Sequence, residues 1–131
     1  MTTSASPSRG TTLRIIRMAL LAGVLSFGGI ITFLVSRDGP RGGGSDIGAA
    51  LQWVNIAFLI VAAAGVLVLQ RKHAAERDPA QRQTWNIIAW ALGEMTAMFG
   101  GVHYLLVGSP APYLVGLAML VASFVLVPIR E

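Results

Sequence analysis

The chain has 131 residues, 54% of them hydrophobic and only 12% charged, where an ordinary soluble domain carries about 25% charge. With a mean hydropathy of +0.66 it belongs to the membrane class by composition. Cysteine is absent, which excludes disulfides, thiol catalysis and thiolate metal sites.

Taken from the amino terminus, residues 1–13 read as a flexible cytoplasmic tail. The first apolar run spans residues 15–35, behind Arg9, Arg14 and Arg17. Its uncharged part, Met18 to Ser36, is 19 residues long, beyond the 7–15 of a signal-peptide core, so it is expected to stay as a helix. "SRDGPRGGGSD" (Ser36 to Asp46) is a glycine-rich turn. The second run covers residues 47–70. "RKHAAERDPAQRQ" (Arg71 to Gln83) reads as a charged loop. The third run covers 85–107, "GSPAP" (Gly108 to Pro112) makes a tight break, and the fourth covers 111–129.

Each run is near the ~20 residues a helix needs to cross ~30 Å of hydrocarbon. In lipid a segment this short must satisfy its own backbone, so all four are expected to be helical. The fold class is therefore all-α, an integral membrane four-helix bundle forming one domain over residues 14–131. Ten Lys/Arg divide as three in the amino-terminal segment, four in Arg71–Gln83 and one at Arg130, against two in Ser36–Asp46. Positive charge stays inside, so both termini are expected in the cytoplasm of a multi-pass cell-membrane protein. The basic surplus is read as topology plus attraction to anionic lipids, not as nucleic-acid binding.

"RIIRMALLAGVLSFGGIITFLVS" (Arg14 to Ser36) lies without gaps over "NIIAWALGEMTAMFGGVHYLLVG" (Asn86 to Gly108) with nine of 23 positions identical. The shared Phe-Gly-Gly predicts a duplicated hairpin, a parallel repeat in which the first and third helices both start in the cytoplasm. In this alignment Glu94 stands opposite Ala22.

Glu94 lies ten residues into its run, near mid-membrane. A charge at helix centre costs on the order of 2.5–3.5 kcal/mol on insertion scales, so such residues face protein or water. The expectation is a buried, neutral carboxyl able to bind a proton. By depth, Ser123 and Ser26 are its candidate partners, and Asn55 a more distant one. Gly93, Ala97, Gly100 and Gly101, with Gly28 and Gly29 of the first helix, form small-residue stripes for close helix packing. His103 is the one residue with a ring nitrogen placed to ligate haem or a pigment, with Gly100 a turn earlier to leave room. Such a ligand is the lesser reading, and no cofactor or metal is expected. Trp53, Trp85, Trp90 and Tyr113 read as interfacial aromatics, and Met95, Met98 and Met119 as packing.

"ERDPAQRQ" followed by "ALGEMTAMFGGV" resembles the second half of a rotor-ring c subunit (proteolipid) of F- and V-type ATPases, over residues 71–106. The resemblance implies that Glu94 matches the ion-binding carboxylate of that family. A doubled hairpin with one carboxylate missing is similar to V-type proteolipids. The sequence departs from the family in having only Gly48 and Gly65 across residues 47–70, and in carrying its carboxylate on the third helix.

No nucleophile–base set, phosphate loop or metal cluster can be assembled, so an enzyme is not expected. The chain reads as a non-catalytic accessory or structural subunit of a larger membrane complex. Its expected partners are lipids and other transmembrane subunits or copies of itself. A proteolipid-like subunit exchanging protons through Glu94 is the alternative.

Overall fold

The computed structural model describes residues 8–42 and 45–130; residues 1–7 of the expected tail, 43–44 of the glycine-rich turn and Glu131 lie outside them. Among the described residues there are four α-helices and no strand: α1 (Arg9–Asp38), α2 (Ser45–Ala75), α3 (Pro79–Val107) and α4 (Ala111–Leu126). All four apolar runs are helical, yet three of the helices begin or end well outside the apolar runs.

Caps rather than hydropathy set these ends. Ser8 accepts a hydrogen bond from the Thr11 amide at 3.2 Å, so helix already covers residues 9–13 of the expected tail. The segment expected as a loop over Arg71–Gln83 is mostly helix as well. Lys, Arg, Gln, Ala and Glu are good helix formers, and charge alone does not stop a helix. The break occupies only Glu76 to Asp78. There the Glu76 side chain accepts from the Arg77 and Asp78 amides, both at 3.0 Å, and Asp78 caps α3 through the Ala80 amide at 3.1 Å. Pro79 then occupies the first turn, where its missing N–H costs nothing. At the other end, Gly108 takes a left-handed conformation (φ 86°) and returns its amide to Tyr104. Helix α4 stops at Leu126 rather than 129, because Pro128 disfavours helical backbone at the residue before it.

Helix α3 is the hub. It packs on α1, α2 and α4, whereas α1 and α2 do not pack on each other. The duplicated hairpin is therefore not found as a structural repeat: α3 and α4 form a close pair, and α1 and α2 form none. The likeness of α1 to α3 in sequence is weaker between α2 and α4, and the contacts of those neighbours differ.

The α3–α4 crossing is built on glycine. A methyl group placed on Gly93 would lie 2.7 Å from the Leu120 Cα, one on Gly100 would run into the Pro112 carbonyl, and one on Gly116 into the Thr96 carbonyl. Gly101 likewise seats the Phe27 ring of α1, and Gly28 seats the ring of Tyr113. Gly29 corrects the expected stripe. It is exposed over open space, because adjacent helical positions are about 100° apart and Gly28 has taken the inward face. Trp90 and Tyr113 are core residues rather than interfacial ones, 0% and 7% exposed, while Trp53 is 72% exposed.

Helices α1 and α2 are each long and apolar enough to cross a membrane. They are apolar on faces that meet no protein: Ile15, Met18, Leu25, Ile30 and Phe33 on α1, and Ile60, Val61, Leu67 and Val68 on α2, are all more than half exposed. Only 17% and 11% of their most apolar stretches is buried, unlike the core helix of a soluble domain. Helix α4 is apolar but 16 residues long.

Candidate functional site

The connection joining α1 to α2 is stitched to the end of α3. The Arg41 amide donates to Leu105 O at 3.0 Å and that of Gly42 to Leu106 O at 2.8 Å. These carbonyls belong to the last turn of α3, which has no helical donors left for them. A side chain at residue 42 would strike the Leu106 carbonyl, so glycine is required there by contact.

Glu94 is half-buried halfway along α3. Among the described residues no hydrogen bond or ion pair engages its carboxyl. Neither depth-matched serine meets it. Ser123 is buried, but its hydroxyl donates to Leu120 O at 2.6 Å and sits against Gly93. Ser26 is exposed on α1. Ser123 does lie level with Glu94, against Gly93, but rotation about the helix axis was not available from depth. The small residues fall as expected apart from Gly29: Gly93, Ala97 and Gly100 are buried facing α4, and Gly101 faces α1.

The polar chemistry inside the bundle is held instead by two His–Asn pairs between α2 and α3. At one end Asn55 Nδ2 donates to His103 Nδ1 at 3.0 Å and to its own Leu51 carbonyl at 2.9 Å. At the other, His73 Nε2 donates to Asn86 Oδ1 at 3.0 Å. Asn55 and His73 are 18 residues apart on α2, and Asn86 and His103 are 17 apart on α3. At 1.5 Å per residue both separations are about 26 Å, close to the ~30 Å of a bilayer core. Antiparallel helices with matched spacings of complementary side chains were a signal the sequence held. It was missed because His73 was placed in a loop.

Asn86 goes further. Its Nδ2 donates to Val127 O and Pro128 O, both at 3.0 Å, and Trp90 Nε1 adds a third bond to Val127 O at 3.1 Å. Beyond the end of α4 these carbonyls have no helical donor. Asn86 thus ties α2, α3 and the carboxy-terminal segment together at one buried point. Phe124 stands edge-on to Trp90 with ring centres 5.4 Å apart, and the Arg17 guanidinium lies over the Phe124 ring, 5.9 Å from its centre. Tyr113 closes α4 onto α1 by donating to Val24 O at 2.7 Å.

The room for a haem or pigment ring expected at Gly100 does not exist, since the backbone of Pro112 and Tyr113 fills it. His103 has its Nδ1 engaged by Asn55 and is buried. Among the described residues, no three His, Asp or Glu side chains gather as a metal site requires.

The chain matches no protein-family model, no curated protein and no solved structure.

Proposed function

We propose that this chain is a multi-pass membrane protein, with both termini and the α2–α3 connection in the cytoplasm, acting as a non-catalytic accessory subunit of a larger membrane complex. The carrying observation is Glu94. A carboxyl halfway along a central helix, half-buried and unmatched among the described residues, is expensive in hydrocarbon until another chain supplies a partner. The broad apolar flanks of α1 and α2, which meet no protein, support lateral contact with lipid and other transmembrane helices. The eight Lys/Arg other than Arg37 and Arg41 are carried by segments at one end of the bundle, in keeping with a cytoplasmic face there.

Purification in a mild detergent tests this. The expected outcome is a defined set of co-purifying membrane subunits in fixed proportion, with yield of the assembly close to the parent's for Glu94→Gln, which still offers a hydrogen bond, and at least about fivefold lower for Glu94→Leu. Proton permeability of reconstituted vesicles should be the same for the parent and Glu94→Gln. A lone chain in detergent, with proton flux abolished by Glu94→Gln and Glu94 modified by a hydrophobic carbodiimide, would replace this reading with the proton-exchanging, proteolipid-like one.

A further inference from the structure

At the end of the bundle that carries the basic surplus, a cleft of about 440 Å³ opens between the start of α1, the start of α3 and the tail after α4. Ser8, Arg9, Gly10 and Leu13 line it from α1, Pro79, Arg82, Gln83 and Asn86 from α3, and Arg130 from the tail. The space far exceeds the ~30 Å³ a water takes up in the liquid. Three arginines from three separate segments line it, and among the described residues no carboxylate does. Among the described residues no hydrogen bond or ion pair engages Arg9, Arg82 or Arg130, and the Arg82 Nε is buried with its N–H unmatched. Gathering like charges in a partly enclosed space costs energy, and a bound anion offsets it.

The backbone adds to the field. Ser8 caps only the Thr11 amide, leaving the amides of Arg9 and Gly10 at the positive end of the α1 dipole, beside the cleft. Gly10 is buried and brings no side chain to obstruct approach. Gln83 offers a neutral donor at the rim, while Asn86 has its donors committed to Val127 and Pro128.

We infer that this cleft binds a phosphate-bearing anion, held by Arg9, Arg82 and Arg130 with the first amides of α1. A phosphate presents several acceptor oxygens, which suits forked guanidinium donors carried by three separate segments around one cleft. The group can arrive as the headgroup of an anionic phospholipid in the adjoining leaflet or as free phosphate. The headgroup route rests on the membrane reading above, and the free-phosphate route does not.

The test uses the full chain with two probes: inorganic phosphate by titration calorimetry, and native mass spectrometry from nanodiscs of phosphatidylcholine with phosphatidylglycerol. Retention of one phosphatidylglycerol per chain in preference to phosphatidylcholine supports the headgroup source. Saturable binding of inorganic phosphate without lipid preference supports the free one. Either signal should fall at least about tenfold in the Arg9→Gln/Arg82→Gln/Arg130→Gln variant. Arg71→Gln/Arg77→Gln, at the same end but outside the cleft, should bind as the parent does. Should the triple variant misfold by circular dichroism, Arg9→Gln/Arg130→Gln, which alters exposed side chains only, carries the comparison. The inference is overturned if neither probe binds, if the cleft variants bind like the parent, or if the Arg71/Arg77 control loses as much. A chain that enters no nanodisc but binds phosphate through the three arginines would sink the membrane reading and leave this one standing.

Discussion

Asn86 has its whole side-chain amide engaged, its acceptor by His73 and its donors by two carbonyls beyond α4. Replacing it with leucine leaves a buried imidazole N–H and two carbonyls without partners, although Trp90 still serves one of them. The expected cost is about 3 kcal/mol, read as a lowered unfolding midpoint in detergent. Asn55→Leu, which breaks a single cross-helix bond, should cost nearer ~0.6 kcal/mol, the average for such bonds in membranes. Equal losses would remove Asn86 from its role as the tie point. From the sequence alone, Glu94 was visible because it is the one carboxyl within an apolar run. Its supposed partners were not, since helical depth leaves the angle about the axis free, and Ser123 turned out to face Gly93. His73 and Asn86 looked like ordinary polar residues near a loop. Only the packed pair shows that both are buried.

Among the elements, the α3–α4 hairpin depends on backbones touching where other helix pairs interpose side chains. Gly100→Leu should force α4 away from α3 at Pro112 and cost about 3 kcal/mol. Gly29→Leu, over open space on α1, should leave the unfolding midpoint within about 0.5 kcal/mol of the parent. The pair of variants is informative together: comparable destabilisation would mean that Gly29 is covered by another chain. Hydropathy located every helix because lipid-scale apolar runs leave few alternatives. It misjudged where they end. The stops at Asp78, Gly108 and Pro128 are set by capping and by proline, and the charged residues from 71 to 75 and from 79 to 83 simply continue the helices. The duplicated Phe-Gly-Gly was legible too, but a shared motif on α1 and α3 says nothing about α2 and α4, whose contacts differ.

For the molecule as a whole, the order of contacts makes the α1–α2 connection dispensable as a covalent link, though not as a contact. Helix α1 is held by α3 and α4, and α2 by α3 and α4, with nothing between the two. Separately encoded segments 1–42 and 45–131 are therefore expected to co-purify when co-expressed. Gly42→Val in the first segment should reduce recovery of the pair by a few-fold, through its clash with the Leu106 carbonyl. Failure of the unaltered segments to associate would show that the short connection itself supplies the binding.

The missing contact between α1 and α2 also bears on how the chain is made. Under the membrane proposal, the ribosome delivers these two helices first, and neither has a protein surface to lean on until α3 follows. Each must therefore be able to wait alone among acyl chains, which accounts for their freedom from ionised side chains through the middle and their apolar surface all round. Helix α3 emerges to find neighbours already in place. It alone among the four carries a carboxyl in its middle, and two of its three neighbours, α1 and α2, arrive before it does.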